Sequence, residues 1–271
     1  MDLRHKHWAL IVVGVLIAIF ALIIGWHALR PQPVEAPADP AATSTPVAST
    51  TADIPAKISE TATYYTIDLA YPTVTPLVNS NATANAQAVA LMRQAMQQQA
   101  DSFKKDQNFD HLSHDDVQMM GLDQRKMELS STYAVYTGSR TVSYVFQIYM
   151  DTLGAHGNIF YQTFTFDRST GQRVVLKDLF ASPAYLQTLS LRARKDLPGI
   201  IANITGETSD DFADSMIEDG TKPTEDTFAN FYINGANLVI VFEPYQVGPY
   251  ALGTVELPIP LNQLDVKSEY K

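Results

Sequence analysis

The apolar residues of this chain follow three rhythms. The first is an unbroken run, Trp8 to Trp26, WALIVVGVLIAIFALIIGW. It has no charge and no polar face, and at 1.5 Å rise per residue it reaches about 28 Å, close to the thickness of a bilayer's hydrocarbon core. A Trp at each end suits the two interfaces. Arg4 and Lys6 precede the run, and after Arg30 the next basic residue is Lys57. That asymmetry predicts an N-terminus in the cytoplasm and a C-terminal domain outside. A cleaved signal peptide fits less well: its core would be shorter, and Trp26-His27-Ala28-Leu29-Arg30-Pro31 offers no small-residue cleavage pair. The expected layout is a cytoplasmic tail over residues 1–7, a transmembrane helix over 8–29 and a linker over 30–60. The linker is rich in Pro, Ala, Ser and Thr and too poor in apolar surface to fold.

The other two rhythms mark a folded domain beginning near Thr61. Alternation from Tyr64 to Tyr71, stopped by Pro72, predicts a strand. Ala88, Leu91, Met92, Ala95, Met96, Gln99 and Phe103 recur near a 3.6-residue period and predict a helix over 85–105. Alternation returns in Leu129–Thr137, Thr141–Asp151 and Asn158–Asp167. With turns near Gly138 and Gly154–Gly157, these three predict an antiparallel meander. Val174–Leu176 reads as a short strand. Ser182-Pro183 opens a helix that stops before Pro198-Gly199. An acidic helix follows over Ser209–Asp219. Phe228–Ile233 and Leu238–Phe242 flank an Asn234-Gly235 turn, and Thr254–Leu257 is the last strand. The expected class is α+β, with antiparallel sheet packed with about three helices. The expected subdomains are 61–168 and 169–271.

Composition narrows the function. The chain has 271 residues and no cysteine, which excludes disulfides, thiolate metal sites, a cysteine nucleophile and a lipidated cysteine. Arg4, Lys6 and Arg30 are three of the 19 basic residues and Asp2 is one of the 29 acidic ones, so 16 basic residues stand against 28 acidic ones from Pro31 onward. A domain this acidic repels nucleic acid and anionic lipid and attracts a cationic partner; the plainer reading of the charge is solubility.

The stretch Phe242-Glu-Pro-Tyr-Gln-Val-Gly-Pro-Tyr-Ala-Leu-Gly253, followed by Pro258 and Leu261, is distinctive, as are Tyr71-Pro72 and Leu176-Lys-Asp-Leu-Phe180. Together they resemble the paired extracytoplasmic domains of unknown function shared by RsiV-type anti-sigma factors and PdaC-type peptidoglycan deacetylases, over about Thr61 to Leu264. In RsiV-type proteins the outer domain binds lysozyme while a cytoplasmic domain holds a sigma factor; in PdaC-type proteins a deacetylase domain follows the paired module. With seven residues ahead of the anchor and seven after Leu264, neither the sigma-binding nor the deacetylase role is expected here. The resemblance implies a PdaC-like first subdomain and an RsiV-like second one on a membrane tether.

Candidate chemistry is sparse. The loop after Phe242 has prolines and glycines that fix an unusual path, with Tyr245 and Tyr250 able to present flat amphipathic faces and Glu243 and Gln246 able to add polar contacts. These four are the candidate ligand-binding residues; the plain alternative is a rigid turn with its tyrosines packed inward. Asp110, His111, His114, Asp115 and Asp116 carry metal-ligand chemistry, but Ser113 and Asp116 also read as a helix start, and no metal site is assigned. Asp210, Asp211, Asp214, Glu218 and Asp219 are a solvated face or a docking patch for a basic protein. No nucleophile elbow, HExxH, phosphate loop or dinucleotide fingerprint occurs, so no catalytic residue and no cofactor are assigned. The expected function is a non-enzymatic envelope module that binds a lysozyme-like protein or peptidoglycan glycan. A cell-wall hydrolase and a purely structural envelope protein are the alternatives.

Overall fold

The computed structural model describes residues 55–75, 82–206 and 211–271. The expected tail, transmembrane helix and linker up to residue 54 lie outside the described residues, as does the Ser209 cap of the acidic helix. Among the described residues, no helix is long and apolar enough to cross a membrane.

Order starts earlier than the linker composition suggests. Strand β1 spans Ala56–Thr61 and pairs antiparallel with β2, Tyr65–Tyr71. It is an edge strand and largely exposed, so its sequence carries no apolar alternation to betray it. Helix α1, Ala82–Gln107, follows and buries Ala84, Ala88, Met92, Ala95, Met96, Ala100 and Phe103. After it come a 3-10 turn at Phe109–His111 and helix α2, His114–Met119. Ser113 and Asp116 form a reciprocal capping box on α2. Of the candidate metal donors, Asp116 is engaged in this cap, and among the described residues no group of three or more His, Asp or Glu is placed to hold a metal ion.

Strands β3 (Met127–Thr137), β4 (Thr141–Asp151) and β5 (Asn158–Asp167) form the expected antiparallel meander, and β6 (Arg173–Val174) adds to β5. The whole sheet has the order β1-β2-β3-β4-β5-β6. The expectation of purely antiparallel sheet needs correcting here, because β2 and β3 run parallel. Parallel neighbours need a long crossover, and α1 supplies it. The helix packs on one face of the sheet, where Leu69, Met127, Leu129, Phe146, Ile148 and Phe164 meet its small and methionine side chains.

The second half starts with a short helix, α3 (Leu176–Leu179), and α4 (Tyr185–Thr205). Helix α4 runs through Pro198 instead of stopping before it. Leu197 and Ile201 on either side of the proline are both buried, and their packing outweighs the missing backbone bond. Helix α5 (Asp211–Gly220) precedes a three-stranded antiparallel sheet of β7 (Phe231–Asn234), β8 (Asn237–Phe242) and β9 (Val255–Pro260). Gly235, at φ 57°, makes the two-residue β7–β8 turn.

Apolar packing forms two large clusters, one from Tyr65 to Phe166 and the other from Val174 to Tyr270. The sheets meet through a third, smaller cluster: Val145, Tyr232, Val239 and Val241, flanked by Tyr136 and Tyr161. Hydrogen bonds also cross between the sheets. The N–H groups of Phe231 and Ile233 donate to the hydroxyls of Thr163 (3.1 Å) and Ser143 (3.1 Å). This explains why β4 is buried on both faces and why hydroxyl side chains occupy its second face.

Candidate functional site

The β8–β9 connection carries all four candidate residues, and the structure divides them into two pairs. Glu243 and Gln246 turn inward. One Glu243 oxygen accepts the N–H of Tyr161 on β5 at 2.7 Å and the Asn230 amide at 3.1 Å. Gln246 accepts the Glu243 N–H at 3.1 Å and donates to the carbonyls of Gly220 (3.2 Å) and Thr227 (3.0 Å). It thereby binds the loop to the end of α5 and to the segment before β7. The fit at Gly220 is so close that a Cβ there would run into the Gln246 carbonyl.

Between these two anchors sits Tyr245, at φ 71° and 54% exposed. For a side chain as large as tyrosine the left-handed region costs about 1–2 kcal/mol. The Glu243 and Gln246 bonds hold it there. Further on, Val247 and Leu252 are buried, Tyr250–Leu252 form a 3-10 turn, and Gly253 takes φ 69°, ψ −150°, a conformation essentially reserved for glycine.

Tyr250 meets the turn between β4 and β5. Its hydroxyl donates to the Gly157 carbonyl at 2.9 Å, and its ring stacks on His156 with centroids 4.0 Å apart and planes at 21°. Tyr245 lies beside them, 5.4 Å from Tyr250 and 6.4 Å from His156, with planes at 36° and 30°. In neutral His156, Nδ1 faces the Gly157 carbonyl at 2.9 Å and so carries the proton. Nε2 then accepts from the Tyr245 hydroxyl at 3.3 Å. The tyrosine pair foreseen from the sequence is therefore a trio of rings. The third ring was missed because nothing in the spacing links residue 156 to residue 250; only the docking of the two sheets does.

Between the sheets lies a second group that the sequence did not reveal. Tyr136 and Tyr232 stack at 4.2 Å, and the Tyr232 hydroxyl bonds to Glu256. Burial pushes the Glu256 carboxyl above its ordinary range, opposed by that bond. Burial likewise raises Glu243, opposed by the Tyr161 N–H. Tyr161 is raised by burial and by the charges of both glutamates, with the Thr254 hydroxyl, donating at 3.2 Å, acting against them. The charges of two half-buried carboxylates thus act on one phenol.

Residues 177–262 match the family described as "Protein of unknown function (DUF3298)". Over 152 residues, 54% of the chain, it is 30% identical to the peptidoglycan-N-acetylmuramic acid deacetylase PdaC of Bacillus subtilis (strain 168), and it spans about a third (31%) of that protein's length. Among solved structures, it is similar to a DUF3298 family member from Bacteroides fragilis NCTC 9343, at TM-score 0.48 and 17% identity, covering 79% of this chain and 92% of that one. It is also similar to a DUF3298 family protein from Pseudomonas aeruginosa PAO1, at TM-score 0.49 and 14% identity, covering 80% and 96%. Residues 177–262 are thus similar to the DUF3298 family, and the chain is distantly similar to part of PdaC. The β8–β9 loop falls inside the matched domain and His156 outside it.

Proposed function

We propose that this DUF3298 module is a non-enzymatic binding domain, held outside the cell membrane by the span Trp8–Trp26. In this reading it takes a cell-envelope ligand at the β8–β9 loop, either a lysozyme-like cationic protein or peptidoglycan glycan. The observation that carries it is Tyr245. A large aromatic ring is kept exposed, in an unfavourable backbone conformation, by two inward-turned polar anchors. Strain of this kind, retained by neighbouring bonds, is characteristic of ligand contacts. The acidic charge beyond the anchor suits a cationic protein. The relative PdaC is a peptidoglycan-N-acetylmuramic acid deacetylase, which keeps peptidoglycan among the candidate ligands.

A pull-down with the detergent-solubilised full chain tests the reading. Retention of lysozyme or of purified wall glycan, lost in Tyr245→Ala, supports it; retention of neither refutes it. The second reading, a wall hydrolase, draws on the half-buried carboxylates Glu243 and Glu256, whose charges both act on Tyr161. Product release from peptidoglycan fragments that disappears in Glu256→Gln would favour that reading over binding alone.

A further inference from the structure

Tyr245, Tyr250 and His156 share an orientation, their planes lying within 36° of one another. Each ring is also held at its polar end. The Tyr250 hydroxyl is fixed on the Gly157 carbonyl, the Tyr245 hydroxyl on His156 Nε2, and His156 Nδ1 on the Gly157 carbonyl. The Tyr149 ring packs directly against Gly157, whose carbonyl takes both of these contacts. The result is a ledge whose side-chain freedom is already lost before any ligand arrives, so that little further ordering opposes binding.

The form of the ledge distinguishes between ligands. A protein partner is typically gripped by single aromatic anchors that project into a pocket of the partner. Here Tyr250 and His156 are stacked face to face and Tyr245 lies beside the stack at similar tilt, with the polar ends turned to one another and to backbone. Similarly tilted aromatic rings complement a flat, weakly polar face. A pyranose ring has such a face in its axial C–H groups, and its equatorial hydroxyls reach the rim, where the two phenol oxygens, their protons already given to His156 and Gly157, can accept. The domain's acidic charge disfavours an anionic polymer.

We infer that the ledge of Tyr245, Tyr250 and His156 binds the ring faces of an uncharged glycan, and that His156 is a ligand-contacting residue supplied from outside the DUF3298 segment. This rests on the reading of the β8–β9 loop as the binding site and narrows it from an envelope ligand to a sugar ring. It also makes the site a property of both halves of the fold. The tyrosines come from the β8–β9 loop and the histidine from the β4–β5 turn, so the ledge exists only while the two sheets are docked.

The chain's two tryptophans are Trp8 and Trp26, so a tryptophan placed on the ledge reports from a new position. The test uses the full chain in detergent, with the tetramer of N-acetylglucosamine as probe. Tyr245→Trp keeps an aromatic face and is expected to bind the tetramer with a saturable change in emission. By calorimetry, Tyr245→Ala and His156→Ala should each weaken tetramer binding about ten-fold or more relative to the native chain. His156→Phe, which restores a ring, should recover most of the His156→Ala loss. His156 is exposed on a turn, so its variants keep the test meaningful if Tyr245→Ala fails to fold. Equal affinity in the native chain and in both alanine variants would overturn the inference. So would absence of tetramer binding up to about 10 mM. If the tetramer fails while lysozyme is retained and then lost in Tyr245→Ala, the glycan inference falls and the binding-module reading stands. If neither ligand binds, both fall.

Discussion

Glu243 is the residue whose replacement tests most of this architecture at once. Its carboxylate reaches from the three-stranded sheet to the Tyr161 N–H of the six-stranded one and also holds Asn230. Glu243→Ala removes the acceptor and leaves a half-buried N–H and an amide without it. The loss of stability should be about 2–3 kcal/mol, or a fall of about 5–10 °C in melting temperature for a domain of this size. Glu243→Gln keeps one acceptor oxygen and removes the charge, so its effect should depend on pH. Burial raises the Glu243 carboxyl in the fold above its unfolded value. The protonated form is therefore favoured by folding. Its stabilising contribution is complete below the unfolded pKa and is lost as pH rises through the higher folded value. The glutamine variant is neutral throughout and escapes that loss, so its melting temperature should gain on the native chain's as pH rises. Circular-dichroism melts of the full chain from about pH 4.5 to 8 measure both effects. An alanine variant that melts with the native chain would refute the role of Glu243 as a latch between sheets. A glutamine-minus-native difference that is flat with pH would refute the burial argument.

Three further outcomes follow from the same geometry. Tyr245→Gly relieves the left-handed backbone and should raise stability by about 0.5–1 kcal/mol in denaturant melts while abolishing retention of any ligand; loss of both stability and binding would contradict the strain argument. Gly220→Ala has no room beside the Gln246 carbonyl and should lower stability by about 2 kcal/mol or more in the same melts. Asp167 is 4% exposed and burial acts to raise it, but bonds from Ser169, Arg140 and Thr170 prevail and hold it below the carboxylate range. Its contribution is present above the unfolded pKa and lost as pH falls through the folded one, so Asp167→Asn should cost about 3 kcal/mol at neutral pH and progressively less in acid, as chemical denaturation at several pH values will show.

Sequence pattern and structure agree best where one face of an element meets one core. The alternation in Val142, Tyr144, Phe146 and Ile148, and the period through Ala88, Met92, Ala95 and Met96, are direct imprints of the first apolar cluster. Agreement fails where a second layer intervenes. β1 has too little buried surface to leave a pattern. The parallel β2–β3 pairing is set by where α1 crosses, which local alternation does not encode. Pro198 and its neighbours show packing overriding a local breaker. At the site, Glu243, Tyr245, Gln246 and Tyr250 stand out because prolines and glycines punctuate their loop. His156 and Tyr161 carry no such marks; they join the loop only through the docking of two sheets whose residues lie some ninety positions apart in the chain, as in the Tyr250–Gly157 contact. Glu256 follows the loop on β9, where nothing in the local pattern sets it apart.

The edge position of β1 has a mechanical meaning. The chain upstream of Ala56 enters the fold at the open end of the β1–β2 hairpin, opposite Tyr71, while Thr61 and Thr66 close it. A pull on that upstream segment against a ligand held at the ledge loads the ladder one rung at a time, beginning at Ala56. That is peeling, which meets far less resistance than sliding a whole strand past its neighbour. The Lys57–Asp68 and Lys104–Glu60 ion pairs are the first side-chain clasps to open. Peeling β1 and its turn frees residues 56–64 and lengthens the chain by about 30 Å. The parallel β2–β3 pair and the core beneath α1 stay closed. The hairpin then acts in series with the rest of the fold, yielding under tension before the β8–β9 loop is disturbed.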